Sequence, residues 1–140
     1  MLINLLFSNP ILFVLLVSAL LLALTLHELA HAFAAYKLGD PTAKMSGRLT
    51  FSPLAHLDPM GTLFLLFAGF GWAKPVPVNS LNLGNPKRDL AIISFAGPLS
   101  NFILATISAL LLRFIGMRSG ILTGFLYYFA FYNIGLGIFN

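Results

Sequence analysis

The sequence predicts an all-α polytopic membrane protein with about three transmembrane helices and a small membrane-associated β or re-entrant hairpin between the first and second. Three observations predict it. The 140 residues are 59% hydrophobic and only 9% charged, with a mean hydropathy of +0.92, far from the usage of soluble domains. From Ile11 to about Tyr36 the chain is apolar except for Ser18, Thr25, Glu28 and two histidines. At about 20 residues per span, the length leaves room for three crossings and one substantial loop.

The first span is expected over about 11–36. Asn9-Pro10 punctuates its start, and Lys37 followed by Gly39-Asp40-Pro41 ends it. A helix of that length measures roughly 39 Å at 1.5 Å per residue, longer than the hydrocarbon core, so tilt or protrusion is expected. A cleavable secretory signal does not fit, because residues 1–26 contain no Lys or Arg and the apolar run continues past any plausible cleavage point.

The loop 37–89 carries Lys37, Lys44, Arg48, Lys74, Lys87 and Arg88, so the positive-inside bias places it in the cytoplasm and the amino terminus outside a cell membrane. Orientation thus accounts for most of the net charge of +4. Basic residues this sparse do not make a nucleic-acid surface, and no nucleic-acid partner is expected. Within the loop, Gly61 to Trp72 is apolar but too short to cross, and its glycines and the prolines after it favour a buried or re-entrant hairpin over a helix. Lys74 to Asn79 reads KPVPVN, which suits an extended edge.

The second span is expected over about 90–112, interrupted at Gly97-Pro98, which a membrane helix tolerates when neighbours satisfy the freed backbone groups. Arg113, Gly116, Arg118 and Gly120 make the outer turn. The third span, about 121–140, is still apolar at Asn140, as expected of the amino-terminal part of a single membrane-embedded domain.

The chemistry concentrates in the first span, at His27-Glu28-Leu29-Ala30-His31. Histidines four apart lie on one helix face, where both imidazoles can hold one metal ion, and the Glu after the first can reach a metal-bound water as general base. These three are the only ionisable side chains before Tyr36, and an ionisable group inside a span is functional by default. With no cysteine in the chain, only His and carboxylate remain as ligands, and zinc is preferred on the motif's usual chemistry. Interhelical hydrogen bonding and haem ligation explain the trio less well, the latter because axial histidines have no use for an adjacent Glu. A transport site would need further polar residues along a path, and Ile11 to Leu24 offers only Ser18.

Depth gives a further expectation. Measured by helical rise from the cytoplasmic face, His27 lies about 14 Å down, His31 about 8 Å, and Asn101 of the second span about 16 Å. Asn101 therefore reaches the histidines' level, either as a donor to a substrate carbonyl or as interhelical glue. Asn133 and Asn140 share a face of the third span with the same two readings open. A catalytic zinc takes three protein ligands and water, and the motif supplies two. His56 and Asp58 are in-chain candidates for the third, although an acid beside proline is more often a turn former.

HELAH in the first span, GPLSN (Gly97 to Asn101) opening the second, and NIGLGIFN (Asn133 to Asn140) in the third, with HLDPMGTL and GWAKPVPVN between them, together resemble the site-2 protease family in its compact prokaryotic form. The resemblance runs from about Leu21 to Asn140. It implies a Zn2+-dependent intramembrane endopeptidase acting on transmembrane-helix substrates in the lipid bilayer, with His27 and His31 as ligands and Glu28 as the catalytic carboxylate. It also implies that Asn101 and Asn140 lie near the site, and that an Asp beyond Asn140 is the third ligand.

Overall fold

The structure, a computed structural model, describes residues 2–116 and 120–139. Arg118 and Asn140 lie outside the described residues. Among the described residues six α-helices follow one another: α1 (Leu2–Ser8), α2 (Pro10–Lys37), α3 (Thr42–Met45), α4 (Pro59–Ala68), α5 (Pro86–Ile115) and α6 (Ile121–Phe139). Three of them, α2, α5 and α6, are long and apolar enough to cross a membrane. They pack on one another as a bundle.

Caps explain the boundaries. The Asn9 side chain accepts from the Leu12 amide with Pro10 in the first turn, which separates α1 from α2. At the other end the chain turns at Gly39, whose φ of 106° suits glycine. Helix α5 begins at Pro86, ahead of the apolar run expected from residue 90, because Asn85 caps it by accepting from the Arg88 amide. Polar residues can extend a helix beyond its hydrophobic segment, which hydropathy alone does not register.

Small residues bring the long helices together. Ala19, Ala23, Ala32 and Ala35 of α2 are fully buried, and Phe129 of α6 packs over Ala19 and Ala23. Where the surrounding solvent is as apolar as the core, close backbone approach and packing hold helices together. The large apolar side chains Leu22, Ile107 and Phe131 are instead exposed on the outside.

The expected β hairpin is not found. Among the described residues the region holds no strand, only an isolated antiparallel bridge between Leu57 and Ala73. Most of the apolar segment is α4, capped by the Asp58 carboxylate on the Gly61 amide and closed by Gly69 at φ 83°. The glycines counted against a helix have another use. A Cβ at Gly61 would collide with the Trp72 backbone, and one at Gly71 with the Gly61 carbonyl. They let the returning chain lie directly on α4.

Asp40 ties the far end of the loop to α2. Its carboxylate accepts from the amides of Thr42 (3.1 Å) and Asn79 (2.7 Å), from Asn82 Nδ2 (2.8 Å) and from the Thr42 hydroxyl. Burial alone would raise its pKa, but the hydrogen bonds from Asn82, Thr42 and Asn79 outweigh it and bring the group from an ordinary 3.8 to about 2. With the folded value depressed, this stabilisation is complete above about pH 4 and is lost as pH falls toward 2. Thermal unfolding in detergent should therefore show a midpoint falling over that window. Asp40→Asn should flatten the fall, and an unchanged profile would deny the carboxylate this role.

Candidate active site

His27 and His31 stand one turn apart on α2, as the helical period requires, with Glu28 beside them. His27 is 1% and Glu28 8% exposed. The two Nε2 atoms lie 3.0 Å apart. What faces what is decided by the outer nitrogens.

His31 Nδ1 sits 2.6 Å from the Ile93 carbonyl of α5, which can only accept, so Nδ1 carries the hydrogen. His27 is oriented through a longer relay. Asn133 Nδ2 donates to the Phe129 carbonyl at 2.7 Å, which turns its Oδ1 toward Asn101. Asn101 Nδ2 donates to that oxygen at 2.9 Å, which presents the Asn101 Oδ1 to His27 Nδ1. Both rings therefore carry hydrogen on Nδ1 and turn an Nε2 lone pair toward the other. Two lone pairs at that separation repel each other, and either a shared proton or a metal cation relieves the repulsion. Tetrahedral ligands at 2.0–2.1 Å from one zinc stand roughly 3.3 Å apart, so a shift of a few tenths of an ångström lets the pair share a metal ion. Such outer hydrogen bonds are the usual means of fixing a ligating tautomer.

Among the described residues no group of three or more His, Cys, Asp or Glu could hold a metal. The two in-chain candidates for a third ligand are not grouped with the histidines among the described residues, although His56 Nδ1 is buried with no hydrogen-bond partner there. Asp58 caps α4, and His56 is fully buried with Nε2 donating to the Thr50 carbonyl at 3.0 Å. Asn101 is likewise committed within the bundle, its carbonyl to His27 and its amide to Asn133. The geometry thus favours the interhelical of the two readings open for it.

Two contributors were not singled out from the sequence, and a third, Asn133, had two readings open. Gly97 of α5 faces the histidines, and a Cβ there would overlap His31 Nε2 and both rings' Cε1 atoms. Asn133 closes the relay by hydrogen bonds to Asn101 and the Phe129 carbonyl, the interhelical one of its two readings. Arg48, counted only as a loop charge, is 4% exposed and bonded to three carbonyls. No sequence signal distinguishes it from its basic neighbours.

Two cavities meet at Glu28. One of about 440 Å³ runs past His27 and Glu28 between Leu24, Thr62, Leu65 and Leu136. The other, about 310 Å³, touches Glu28 and His31 together with Val76, Val78 and Ser94. Pro75 lines both.

Residues 15–117 match Peptidase family M50. The chain belongs to that family. This M50 chain is 55% identical over 97 residues to YwhC of Bacillus subtilis (strain 168), a match covering 69% of the chain and 44% of YwhC. It is 33% identical over 103 residues to Rip2 of Mycolicibacterium smegmatis, covering 68% of the chain and 38% of Rip2, and 34% identical over 99 residues to Rip2 of Mycobacterium tuberculosis (66% and 38%). The names of all three assign them to the zinc metalloproteases. The M50 chain thus spans less than half the length of these relatives. No solved structure is significantly similar to it.

Proposed function

We propose that the whole protein is a zinc-dependent endopeptidase that cuts transmembrane segments of other proteins within the bilayer. The observation that carries this reading is the pair of Nε2 lone pairs, oriented through α5 and α6 and converging beside the buried carboxylate of Glu28. His27 and His31 hold the zinc, and the third ligand is an Asp following Asn140 in the longer protein. Zinc held there would act as a Lewis acid and bring the pKa of water down to about 7. Glu28 takes a proton from the attacking water and later delivers it to the leaving amide nitrogen. Asn101, held by Asn133, keeps His27 in its ligating tautomer.

The site lies on the cytoplasmic side, with loop 37–89 in the cytoplasm. Water enters through the cavity at Ser94, and the apolar cleft at Leu24 and Leu65 receives the substrate. A transmembrane helix hides its peptide bonds in its own hydrogen bonds and must unwind to be cut. The Lys74 to Asn79 segment receives the unwound strand. Among the described residues, the backbone groups of Val76 and Val78 make no backbone hydrogen bond, while Lys74 and Asn79 at the ends are pinned. Residues two apart in an extended run present the same edge, the requirement for adding a strand.

Metal analysis and cleavage of a model transmembrane substrate by the full-length protein test the reading together. About one zinc per chain is expected from the two histidines and a third ligand, with cleavage lost on chelation and restored by zinc. Cleavage that survives removal of the metal would overturn it.

A further inference from the structure

Arg48 is a buried cation whose partners are all neutral. Gly47, at φ 70°, turns the chain just before it, and the Arg48 amide bonds to the Ala43 carbonyl at 2.9 Å. Its Nη1 donates to the carbonyls of Ala55 (2.6 Å) and Lys74 (3.2 Å), and its Nη2 to that of Pro75 (3.0 Å). The ion pair found among the described residues is Arg88 with Asp89, so no carboxylate neutralises Arg48 by contact. Burying a charge without a counter-ion is costly, and a planar fork reaching several carbonyls at once is what guanidinium offers and ammonium does not.

Two of those carbonyls, of Lys74 and Pro75, belong to the segment that reaches both cavities. Pro75 lines both, and Val76 and Val78 continue from it along the cavity that holds Glu28 and His31. At the segment's far end Asp40 holds the Asn79 amide, and Lys74 bonds through its own amide to the His56 carbonyl. Pro75 has no amide hydrogen to donate, so its carbonyl is its only backbone handle, and Arg48 holds it.

We infer that Arg48 is a positioning residue for substrate. By clamping the Lys74 and Pro75 carbonyls it fixes the wall between the two openings onto Glu28 and presents the Val76 and Val78 edge at the right height for an incoming strand. The inference rests on the protease reading given above. Because the wall belongs to this chain, it can also be followed without any catalysis.

Full-length wild type, Arg48→Lys, Arg48→Gln and Arg48→Met should be compared by zinc content, hydrogen exchange and steady-state cleavage of a transmembrane substrate. Zinc content should stay at the wild-type value. Exchange at the Lys74 and Asn79 amides, which are hydrogen-bonded to the His56 carbonyl and the Asp40 carboxylate, should speed up about tenfold or more in Arg48→Met while the amides of α2 keep their protection. KM should rise about tenfold with kcat within about threefold, the pattern of lost ground-state binding. Arg48→Lys should fall between wild type and Arg48→Met, and it serves as the comparison if Arg48→Met does not fold. Unchanged exchange at Lys74 and Asn79, a fall confined to kcat, or zinc and cleavage lost in parallel would each overturn the inference. If the wild-type protein cleaves nothing, the protease reading fails, while the exchange result still decides whether Arg48 holds the wall.

Discussion

Glu28→Gln is expected to keep zinc at the wild-type level and to lower kcat by about 10²- to 10⁴-fold, the range a positioned general base contributes. Gln has the same length and nearly the same shape, so it should fill the same buried position between the two cavities. It cannot accept a proton. The histidines are oriented by groups Glu28 does not touch, Ile93 on one side and the Asn101–Asn133 pair on the other, so the metal seat should not register the change. Equilibrium dialysis against zinc and single-turnover cleavage separate the two effects. A metal-transit protein using the same trio would show altered flux with no cleavage before or after the substitution. A variant that loses zinc along with activity would make Glu28 a ligand or a structural group, and the assignment of the base would have to change.

Gly97→Ala should do the opposite, acting on the metal first. The added methyl would occupy the space of His31 Nε2, the atom assigned to the zinc. Either the imidazole turns, giving up its bond to the Ile93 carbonyl, or α5 moves away from α2 and draws Asn101 from His27. Outer-sphere disturbance of this kind typically costs 10- to 100-fold in metal affinity. Overpacking a close helix contact costs about 1–3 kcal/mol besides. Gly135→Ala in α6 is the control, because a Cβ there meets nothing within 4 Å. Competition with a chelator should rank wild type and Gly135→Ala together and Gly97→Ala well below them. Equal affinity in all three would mean that the contact between α2 and α5 is looser than described.

The difference between these two substitutions marks what could be read early. Glu28 announces itself, since a carboxylate inside an apolar span next to His27 has few uses other than chemistry. Gly97 resembles any glycine before a proline in a membrane helix, and its reading as an interruption was natural. Only the neighbouring helix shows that the missing side chain makes room for a ring. The segment Gly61 to Trp72 shows the same limit from the other direction. Its glycines looked like hairpin residues, yet Asp58 and Pro59 start a helix and Gly61 and Gly71 pack backbone on backbone.

The sequence by itself determined the apolar lengths of the three long helices, the pairing of His27 with His31 on one face, and Glu28 beside them. All of these follow from distances along a single helix, where 1.5 Å per residue and 3.6 residues per turn convert spacing directly into geometry. Tertiary structure alone decided the rest. The hydrogen-bond acceptors that orient the two imidazoles come from residues 74 and 62 positions away, the room for the rings comes from Gly97, and the wall over Glu28 is held by Arg48. These contacts depend on how α5, α6 and the loop pack against α2. Helical periodicity carries no information about which residue of a neighbouring helix arrives at a given height and angle, so the orientation of the imidazole nitrogens had to await the fold.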